Sequence, residues 1–282
     1  MKKKIIIILS IILGILGIIF YSRFIETSLF ETKEYKISNV NLANDFSGLK
    51  IIHISDIHYG RITSTKMIKK IIKEVNLIKP DIIVITGDLI DKDATLTEKD
   101  ISFLKDSLAK LESKYGKYSI YGNHDITYSR EKIEEIYKYS NFKLLVNDYD
   151  IIYGKRNEAL FIGGLDSLLE GEQNIEKTMS YFNDHEDILY KILLVHEPDS
   201  TDNILEKYPN TNLILAGHSH NGQVRLPLIG AVYTPSGSKK YYDNYYKINE
   251  TDLYISSGIG VSRINFRLFN KPSINFYRIY ND

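Results

Sequence analysis

The stretch Leu213-Ile-Leu-Ala-Gly-His-Ser-His220 joins an apolar run to two histidines that are separated by a single residue. In an extended segment, side chains two residues apart point to the same side and lie roughly 6.5 Å apart. Two imidazoles at that spacing can bind one metal ion or two adjacent ions. Taken alone, the pattern is equally consistent with a polar loop that carries two solvated histidines, so its interpretation depends on the rest of the chain.

Four other stretches repeat this arrangement, in which a short apolar strand ends in polar side chains that can bind metals. These clusters are His53-Ile-Ser-Asp-Ile-His58, Gly87-Asp-Leu-Ile-Asp91, Gly122-Asn-His-Asp125 and His196-Glu-Pro198. In layered α/β folds, ligand sites form beyond the carboxyl ends of the strands. We therefore expect all five clusters to converge on one site.

Hydrophobic periodicity predicts a single α/β domain whose last third, from Ala231, consists mostly of strands and turns. The predicted strands are Tyr35–Leu42, Leu49–Ile54, Asp81–Thr86, Tyr118–Tyr121, Phe142–Leu145, Asp150–Tyr153, Ala159–Gly163, Lys191–Val195 and Leu213–Ala216. The predicted helices are Thr63–Ile78, with Thr63 as its cap, Thr97–Leu111, Arg130–Tyr139 and Gln173–Asn183.

The N-terminus predicts a transmembrane helix, because three lysines at positions 2 to 4 precede the uncharged run Ile5–Tyr21. As a helix, this run spans about 26 Å, against about 30 Å for the hydrocarbon core of a bilayer. An uncleaved anchor is favoured over a cleaved signal peptide, since no Ala-x-Ala-like site follows. All-round apolarity argues against a buried core helix.

The distribution of charge around this run predicts the orientation of the chain. Lysines precede the span and a mixed-charge segment follows it, which places the N-terminus inside and the bulk of the chain outside the cell. We expect a single-pass protein of the cell membrane, with an anchor and juxtamembrane segment at residues 1–29 and an extracytoplasmic catalytic domain at residues 30–282.

Composition narrows the chemistry that the chain can perform. Lys+Arg and Asp+Glu number 36 each, so no strong field attracts nucleic acid, and no nucleic-acid partner is expected. The chain has no cysteine, which excludes disulfides, thiolate zinc sites and cysteine nucleophiles. Residues 30–282 carry 32 basic and 35 acidic side chains, so an anionic ligand of this part of the chain would need local positive charge, which metal ions supply most simply.

The five clusters, in this order, resemble the calcineurin-like metallophosphoesterase superfamily. The motifs that carry the resemblance are Asp-x-His, Gly-Asp-x-x-Asp, Gly-Asn-His-Asp, a strand-terminal His and Gly-His-x-His. The extended stretch Gly217–Gly230 and the later Ser256-Ser-Gly-Ile-Gly260 resemble the bacterial membrane-associated branch of YkuE- or YaeI-like phosphodiesterases. The resemblance covers the chain from about Lys50 and implies a four-layer α-β-β-α sandwich of two mixed β-sheets flanked by helices.

The resemblance also implies two divalent metal ions. One would be held by Asp56, His58, Asp88 and His220. The second would be held by Asp88, Asn123, His196 and His218, with Asp88 as the bridge. Mixed nitrogen and oxygen ligands are compatible with Mn, Zn or Fe. Asp91 stands where iron-type purple acid phosphatases carry a tyrosine, so we expect no ferric–tyrosinate centre.

The mechanism implied by the resemblance is attack on phosphorus by a hydroxide that bridges the two metals. His124 would stabilise the transition state or protonate the leaving oxygen, and Asp91 would orient it. The predicted function is that of a phosphodiesterase, acting on a phosphate ester such as a lipid or another cell-envelope component.

Two rival functions differ from this one in ways that can be tested. A pyrophosphatase of the kind that acts on UDP-diacylglucosamine, a glycolipid precursor, would need a cytoplasmic domain, whereas the lysine bias places this domain outside. A non-catalytic metal-binding scaffold would not need His124 or Asp91, and the chain retains both.

Residues close to the clusters carry separate expectations. His53 is predicted to be packed or hydrogen-bonded rather than a metal ligand, and His185 is predicted to lie on the surface. Asp125 is expected to fix the Gly-Asn-His loop, and Glu197 to face solvent. Arg225 is a candidate for binding a substrate phosphate, although a structural salt bridge is an equally good interpretation.

Overall fold

Successive residues of the buried strands face two different hydrophobic cores. The structure is a computed structural model that describes residues 2–185 and 189–281. Ile51 packs in the core between two sheets, whereas Ile52 packs against the helices on the outer face of the first sheet. Leu215 likewise faces the core between the sheets, and Ile214 faces the helices outside the second sheet. The fold therefore has four layers in the order α-β-β-α, which confirms the predicted fold class.

The first sheet has six strands in the order β1-β14-β2-β3-β4-β5, and only the β14–β2 pair is antiparallel. Its strands are β1 (Glu31–Ser38), β2 (Leu49–Ile54), β3 (Ile82–Thr86), β4 (Gly116–Ile120), β5 (Lys143–Leu144) and β14 (Ser273–Tyr280). Since β2, β3 and β4 are parallel and adjacent, the loops that follow them lie side by side at one edge of this sheet.

The second sheet also has six strands, in the order β12-β13-β9-β8-β7-β6, with antiparallel pairs at its two ends. Its strands are β6 (Asp148–Tyr153), β7 (Ala159–Gly164), β8 (Tyr190–Val195), β9 (Leu213–Ala216), β12 (Tyr245–Ile248) and β13 (Thr251–Ile255). A separate hairpin pairs β10 (Arg225–Leu226) with β11 (Gly230–Ala231).

The helices that cover the sheets are short and amphipathic. They are α2 (Thr65–Ile78), α3 (Glu98–Ala109), α4 (Asn123–Tyr139), α5 (Ile175–Thr178), α6 (Tyr181–Asp184) and α7 (Thr201–Lys207). Ile68, Ile71, Ile72 and Val75 of α2 are buried, as the helical periodicity predicts. Thr97 caps α3 through a capping box with Asp100.

Several predicted boundaries are wrong for identifiable local reasons. The cap of α2 is Ser64, whose side chain accepts from the N–H of Met67 at 3.2 Å, while Thr63 donates to the carbonyl of Ile57. The helix predicted over residues 130–139 begins at Asn123, because Gly-Asn-His forms its first turn, and Ser129 interrupts it with extended dihedral angles. The helix predicted over residues 173–183 is two single turns, α5 and α6.

The N-terminal run forms the helix α1 (Lys2–Phe20), which has no buried residue. Its helical path continues through a π-helical turn and a 3-10 turn to Ser28, and it is long and apolar enough to cross a membrane. The described residues after α1 pack on the domain: Ser22 and Glu26 are buried. The carbonyl of Ser22 accepts from the N–H of Arg267 at 3.1 Å.

Candidate metal centre

The ends of four buried strands and the first turn of α4 surround one site between the two sheets. Asp56 and His58 follow β2, and Asp88 follows β3. From the second sheet, His196 follows β8 and His218 follows β9. The structure thus brings together the five clusters that the sequence predicts to converge.

The first group of candidate ligands consists of Asp56, His58 and His220, all of them buried. The Nε2 atoms of His58 and His220 lie 3.2 Å apart. Oδ1 of Asp56 lies 3.4 Å from Nε2 of His220 and 3.9 Å from Nε2 of His58. These three side chains can present their donor atoms to one cation.

The second group consists of Asp88, His196 and His218, which are also buried. Nε2 of His196 lies 3.4 Å from Oδ2 of Asp88 and 3.3 Å from Nδ1 of His218. The amide oxygen of Asn123 is 3.2 Å from the same nitrogen of His196. All four residues of the second predicted ligand set therefore meet.

Asp88 connects the two groups through one oxygen atom. Its Oδ2 lies 3.5 Å from Nε2 of His58 in the first group and 3.4 Å from Nε2 of His196 in the second. Its Oδ1 faces away from both and accepts a hydrogen bond from the N–H of His124. This is the geometry expected of a carboxylate that bridges two cations.

The hydrogen bonds behind the rings test whether these histidines suit a metal. Nδ1 of His196 lies 2.6 Å from the carbonyl of Thr86, and Nε2 of His218 lies 2.7 Å from the carbonyl of Ser236. Because a carbonyl only accepts, those nitrogens carry the ring protons and the opposite nitrogens present lone pairs to the site. Lone pairs and buried carboxylate oxygens at such distances need a cation between them, so these residues fit divalent metals.

The carboxylates and histidines of the site shift one another's pKa values. Burial alone would lower the pKa of His196, but Asp88 and neighbouring carboxylates raise that pKa well above its ordinary value. Burial opposes ionisation of Asp88, yet His196 and His124 hold the pKa of Asp88 well below its usual range. Without a metal, a ring proton on His196 thus balances the negative charge of these carboxylates, and a bound metal ion would take the place of that proton.

Strained backbone accompanies the predicted ligands. A positive φ in the left-handed region is found at Asp56 (50°), His58 (45°), Asp88 (53°), His218 (64°) and His220 (49°). Each such residue costs about 1–2 kcal/mol relative to a right-handed conformation. Strain of this kind persists where surrounding structure imposes it, and it clusters at functional sites.

Two glycines permit the close approach of the ligand loops. A Cβ on Gly122 would lie under 3.0 Å from Oδ1 and the backbone nitrogen of Asp88. A Cβ on Gly217 would lie under 3.0 Å from Oγ of Ser55 and Oδ2 of Asp56. Glycine is therefore required by packing at both positions, next to a candidate ligand in each case.

His124 lies at the mouth of the site, where it is almost buried and its ring is 4.5 Å from that of His58. Its Nδ1 accepts from the N–H of Lys92 at 3.2 Å and lies 3.6 Å from Oδ2 of Asp91. Oδ2 of Asp91 is also 3.3 Å from Nδ1 of His58. Asp91 therefore neighbours a candidate ligand as well as the histidine that it was predicted to orient.

A cavity of about 730 Å³ opens from the two groups to solvent. Three basic side chains line it: Arg61, Lys92 and Arg263. Arg61 is held by Asp91, whose Oδ2 is 3.4 Å from its Nη1, and by the carbonyl of Arg263. The sequence analysis missed these three, since no motif distinguishes them from surface charges.

Arg225 lies elsewhere, and the substrate-binding interpretation of this residue is not supported. It is absent from the residues that line the 730 Å³ cavity. Its Nη2 lies 2.6 Å from Oδ1 of Asp243, and its Nη1 donates to the carbonyl of Asn221. The structural salt bridge is the interpretation that the geometry favours.

Arg267 is a further residue that sequence reasoning missed. It is fully buried behind His220, with its Nη2 3.3 Å from Nδ1 of that ring. It donates to the carbonyls of Gly258 and Gly260, and burial lowers its pKa to about 10. The only sequence signal was the Ser256–Gly260 motif, which supplies those carbonyls without revealing their donor.

The predictions for neighbouring residues have mixed outcomes. His53 is buried between the hydroxyls of Tyr277 and Thr86, and His185 is exposed, as expected. Asp125 accepts from the N–H groups of Gly122 and Leu89, so it does fix the loop that carries Asn123. The prediction for Glu197 is wrong: this carboxylate is buried, where it accepts from the hydroxyl of Ser167 and the N–H of Leu168.

Two mixed sheets face each other, and their strand ends carry two histidine–aspartate groups that one aspartate joins. This fold and site define a metal-dependent phosphoesterase. The chain belongs to the family described as Calcineurin-like phosphoesterase, which matches residues 49–222. This family depends on two metal ions, and the groups described above supply the ligand types for them. The chain is thus an enzyme that hydrolyses phosphoric esters.

Two bacterial relatives can be aligned with this chain over most of their length. The uncharacterized metallophosphoesterase YkuE of Bacillus subtilis is 34% identical over 260 residues, covering 92% of this chain and 88% of the relative. The phosphodiesterase YaeI of Escherichia coli is 27% identical over 262 residues, covering 92% of each chain. The Haemophilus influenzae NAD nucleotidase NadN shares the fold, with a TM-score of 0.52 and 16% identity over 74% of this chain and 45% of the nucleotidase.

Proposed function

We propose that the chain is a membrane-anchored phosphodiesterase with two divalent ions in its site. Asp56, His58, Asp88 and His220 would hold one ion, and Asp88, Asn123, His196 and His218 the other. The observation that carries this assignment is the position of Oδ2 of Asp88 within 3.5 Å of a histidine nitrogen in each group. Bound ions would supply Lewis-acid activation of water and neutralise the phosphoryl oxygens.

The protein's own contribution to the reaction centres on His124. Burial would lower the pKa of His124, but Asp88 and Asp91 raise it, so the protonated ring is favoured. We assign its Nε2 the proton that passes to the leaving oxygen. In the protonated ring, Nδ1 would donate toward Oδ2 of Asp91, 3.6 Å away, in place of accepting from the N–H of Lys92. Asp91 positions the ring and stabilises its positive charge.

A diester is the favoured substrate class. The relative YaeI bears the name phosphodiesterase and matches nearly the whole chain. The cavity of about 730 Å³ extends beyond the two groups to Leu169, Tyr233 and Ile264, which leaves room for a second ester substituent. Manganese, zinc and iron(II) all accept nitrogen and oxygen ligands, and we propose one of these as the physiological metal.

We propose further that α1 anchors the enzyme with its domain outside the cell. Support comes from the apolar helix at residues 2–28 and from the lysines that precede its apolar part. A pyrophosphatase that acts on a cytoplasmic glycolipid precursor would need the opposite topology. Because Ser22 and Glu26 are buried against the domain, we place the end of the membrane-spanning helix near Phe20 and treat residues 21–29 as a juxtamembrane segment that packs on the domain.

The test uses the full chain in lipid nanodiscs, loaded with Mn²⁺, Zn²⁺ or Fe²⁺. Hydrolysis of bis(4-nitrophenyl) phosphate is compared with that of 4-nitrophenyl phosphate. We expect faster diester turnover that EDTA abolishes and that an added metal restores. Absence of diester hydrolysis with every metal would overturn the proposed activity, and faster monoester turnover would overturn the preference.

A further inference from the structure

Exposed apolar side chains lie next to the metal cavity, on two segments whose residues Val224, Val232 and Ile264 line it. They are Leu228 and Ile229 in the β10–β11 hairpin, and Ile264 and Phe269 in the loop of residues 262–270. More than half of each of these side chains is exposed, and Leu228 is completely exposed. We call these four residues the apolar rim.

Two exposed members of the apolar rim have a strained backbone. Leu228 has a φ of 67° and Phe269 a φ of 54°, in the left-handed region that residues with a Cβ disfavour. Folding gains nothing from placing large apolar side chains in solvent in a strained conformation. Such strain points to a contact outside the folded domain.

The loop of the apolar rim is fastened to the end of the membrane helix. The N–H of Arg267 donates to the carbonyl of Ser22 at 3.1 Å, and Nη1 of Arg23 donates to the carbonyl of Asn265 at 3.0 Å. These contacts begin two residues after the end of α1 at Phe20. The loop therefore lies at the level where the helix would leave the bilayer.

The hairpin is joined to the same loop. The N–H of Arg225 donates to the carbonyl of Leu268 at 2.9 Å, and Val224 forms a bridge with Leu268. The connection from membrane helix to loop to hairpin is thus a series of backbone hydrogen bonds. Arg267, in the same loop, also contacts the metal centre, since its Nη2 lies 3.3 Å from Nδ1 of His220. Arg267 therefore links the carbonyl of Ser22, which its backbone N–H contacts, to a candidate metal ligand.

We propose that the apolar rim inserts into the leaflet that α1 leaves, so that the mouth of the metal cavity opens on the bilayer surface. The substrate class that follows is a phosphodiester of a membrane lipid, whose headgroup enters the cavity while its acyl chains stay in the bilayer. This inference rests on the membrane anchor and the phosphodiesterase activity of the proposed function.

The bilayer is favoured as the occupant because the apolar rim continues the surface of α1. Phe24 and Ile25, exposed side chains directly after α1, extend the apolar surface toward the loop. Arg23 and Arg263 lie beside it, and Tyr233 stacks under the guanidinium of Arg263 at 4.8 Å. Arginine and tyrosine at the edge of an apolar surface are typical of the membrane–water interface.

Depth measurements test the insertion directly, because the natural chain contains no tryptophan. The full-length variants Leu228→Trp and Leu77→Trp each carry a single emitter, and Leu77 is an exposed residue on the outer helix α2. In nanodiscs of phosphatidylcholine with brominated acyl chains, we expect blue-shifted, quenched emission from Leu228→Trp and unquenched emission from Leu77→Trp. Equal, unquenched emission from both variants would overturn the insertion.

Substrate selection is tested with two diesters that share one reacting group. Hexadecyl 4-nitrophenyl phosphate partitions into the nanodisc, whereas ethyl 4-nitrophenyl phosphate stays in water. We expect Leu228→Asp to lower the ratio of hexadecyl to ethyl turnover by about tenfold, and Leu77→Asp to leave the ratio at the natural value. An unchanged ratio in Leu228→Asp would overturn the proposed route of the substrate.

The two probes separate failure of this inference from failure of the proposed function. If the natural chain hydrolyses the ethyl diester while Leu228→Trp stays unquenched, the phosphodiesterase activity stands and the membrane route is wrong. If it hydrolyses neither diester in any metal, the proposed function is wrong, and quenching of Leu228→Trp would then support only the insertion of the apolar rim.

Discussion

Oδ1 of Asp88 accepts a 2.8 Å hydrogen bond from the backbone N–H of His124. The carboxylate that joins the two candidate metal groups is thereby fixed to the residue assigned as the proton donor. Since this N–H belongs to the first turn of α4, it is one of the helix N-terminal donors that have no partner within the helix. The positive end of the helix also favours the negative charge of Asp88.

Replacing Asp88 should remove metal and activity together. In Asp88→Ala, both groups lose the oxygen that lies between them, and the N–H of His124 loses its acceptor. We expect the purified variant to bind less than one equivalent of Mn²⁺ by elemental analysis and to lack diester hydrolysis. Asp148→Ala, at an exposed aspartate, is the matched control. Full activity in Asp88→Ala would contradict the assignment of this site as the metal centre.

Replacing His124 should separate metal binding from turnover. The donor atoms of His58, Asp91 and His124 also lie within 4.8 Å of one another. His124 nevertheless belongs to neither proposed ligand set, and it lies at the cavity mouth, so His124→Ala should retain the metal content of the natural chain. Loss of the proton donor should lower kcat by about 100-fold or more. His185→Ala, at an exposed histidine, should match the natural enzyme in both measurements. A normal kcat in His124→Ala would contradict the assigned role.

The pH dependence of the reaction should report the contact between Asp91 and His124. A proton donor is active in its protonated form, so activity falls as pH rises through its pKa. Asp91 raises the pKa of His124, and in Asp91→Asn that pKa should fall and carry the basic limb of the kcat/KM profile to lower pH. Metal content must be matched because Asp91 also neighbours His58. An unshifted basic limb at equal metal content would exclude this coupling.

The convergence of the site could be predicted from the sequence because each cluster directly follows a short apolar strand. The bounds of β2 and β9 were predicted without error, because the apolar run of each strand ends at a small residue, Ser55 after β2 and Gly217 after β9. The Gly-Asn-His turn was missed as the start of α4 because glycine and asparagine have low helix propensity, and helical periodicity appears only later.

Long-range contacts were beyond the reach of sequence patterns. The predicted fate of Glu197 was wrong because a charged residue after a strand ordinarily faces solvent, and its partners Ser167 and Leu168 are distant in the chain. Arg267 was missed for the same reason, because its contact with His220 depends on the path of a loop that no local sequence pattern predicts. The positive φ of Asp56 likewise gave no signal in composition or spacing, although the residue itself was predicted as a ligand.

A methyl group on Gly122 should weaken metal binding although every candidate ligand residue is retained. In Gly122→Ala, the added Cβ would overlap Oδ1 and the backbone nitrogen of Asp88, so the carboxylate must move. We expect Mn²⁺ affinity to fall by about 10- to 100-fold, measured by titration of activity against free metal. Gly14→Ala, in α1 with nothing within 4 Å of the new Cβ, is the control for a helical glycine. Natural affinity in Gly122→Ala would show that the loop accommodates the methyl group.

Residues 21–29, which follow α1, should support the metal centre as well as connect the domain to the membrane helix. Oε1 of buried Glu26 accepts from the N–H of Asn270 at 2.7 Å, and the side chain of Asn270 donates to the carbonyl of His220. Glu26→Ala leaves that buried N–H without its partner, at a cost of about 1–3 kcal/mol, and loosens the support of a candidate ligand. We expect a lower Tm and weaker Mn²⁺ binding in the full chain.

Glu34→Ala is the matched control for this change, because Glu34 forms an exposed pair with Arg278 that contributes about 0–1 kcal/mol. A variant shortened to begin at Phe30 should show the same loss of Mn²⁺ affinity as Glu26→Ala, whereas one that begins at Tyr21 should retain the natural value. These two shortened chains distinguish support of His220 by residues 21–29 from a general effect of losing the membrane helix. Equal Mn²⁺ affinity in both would show that the metal centre does not depend on the segment, and that the domain begins after it.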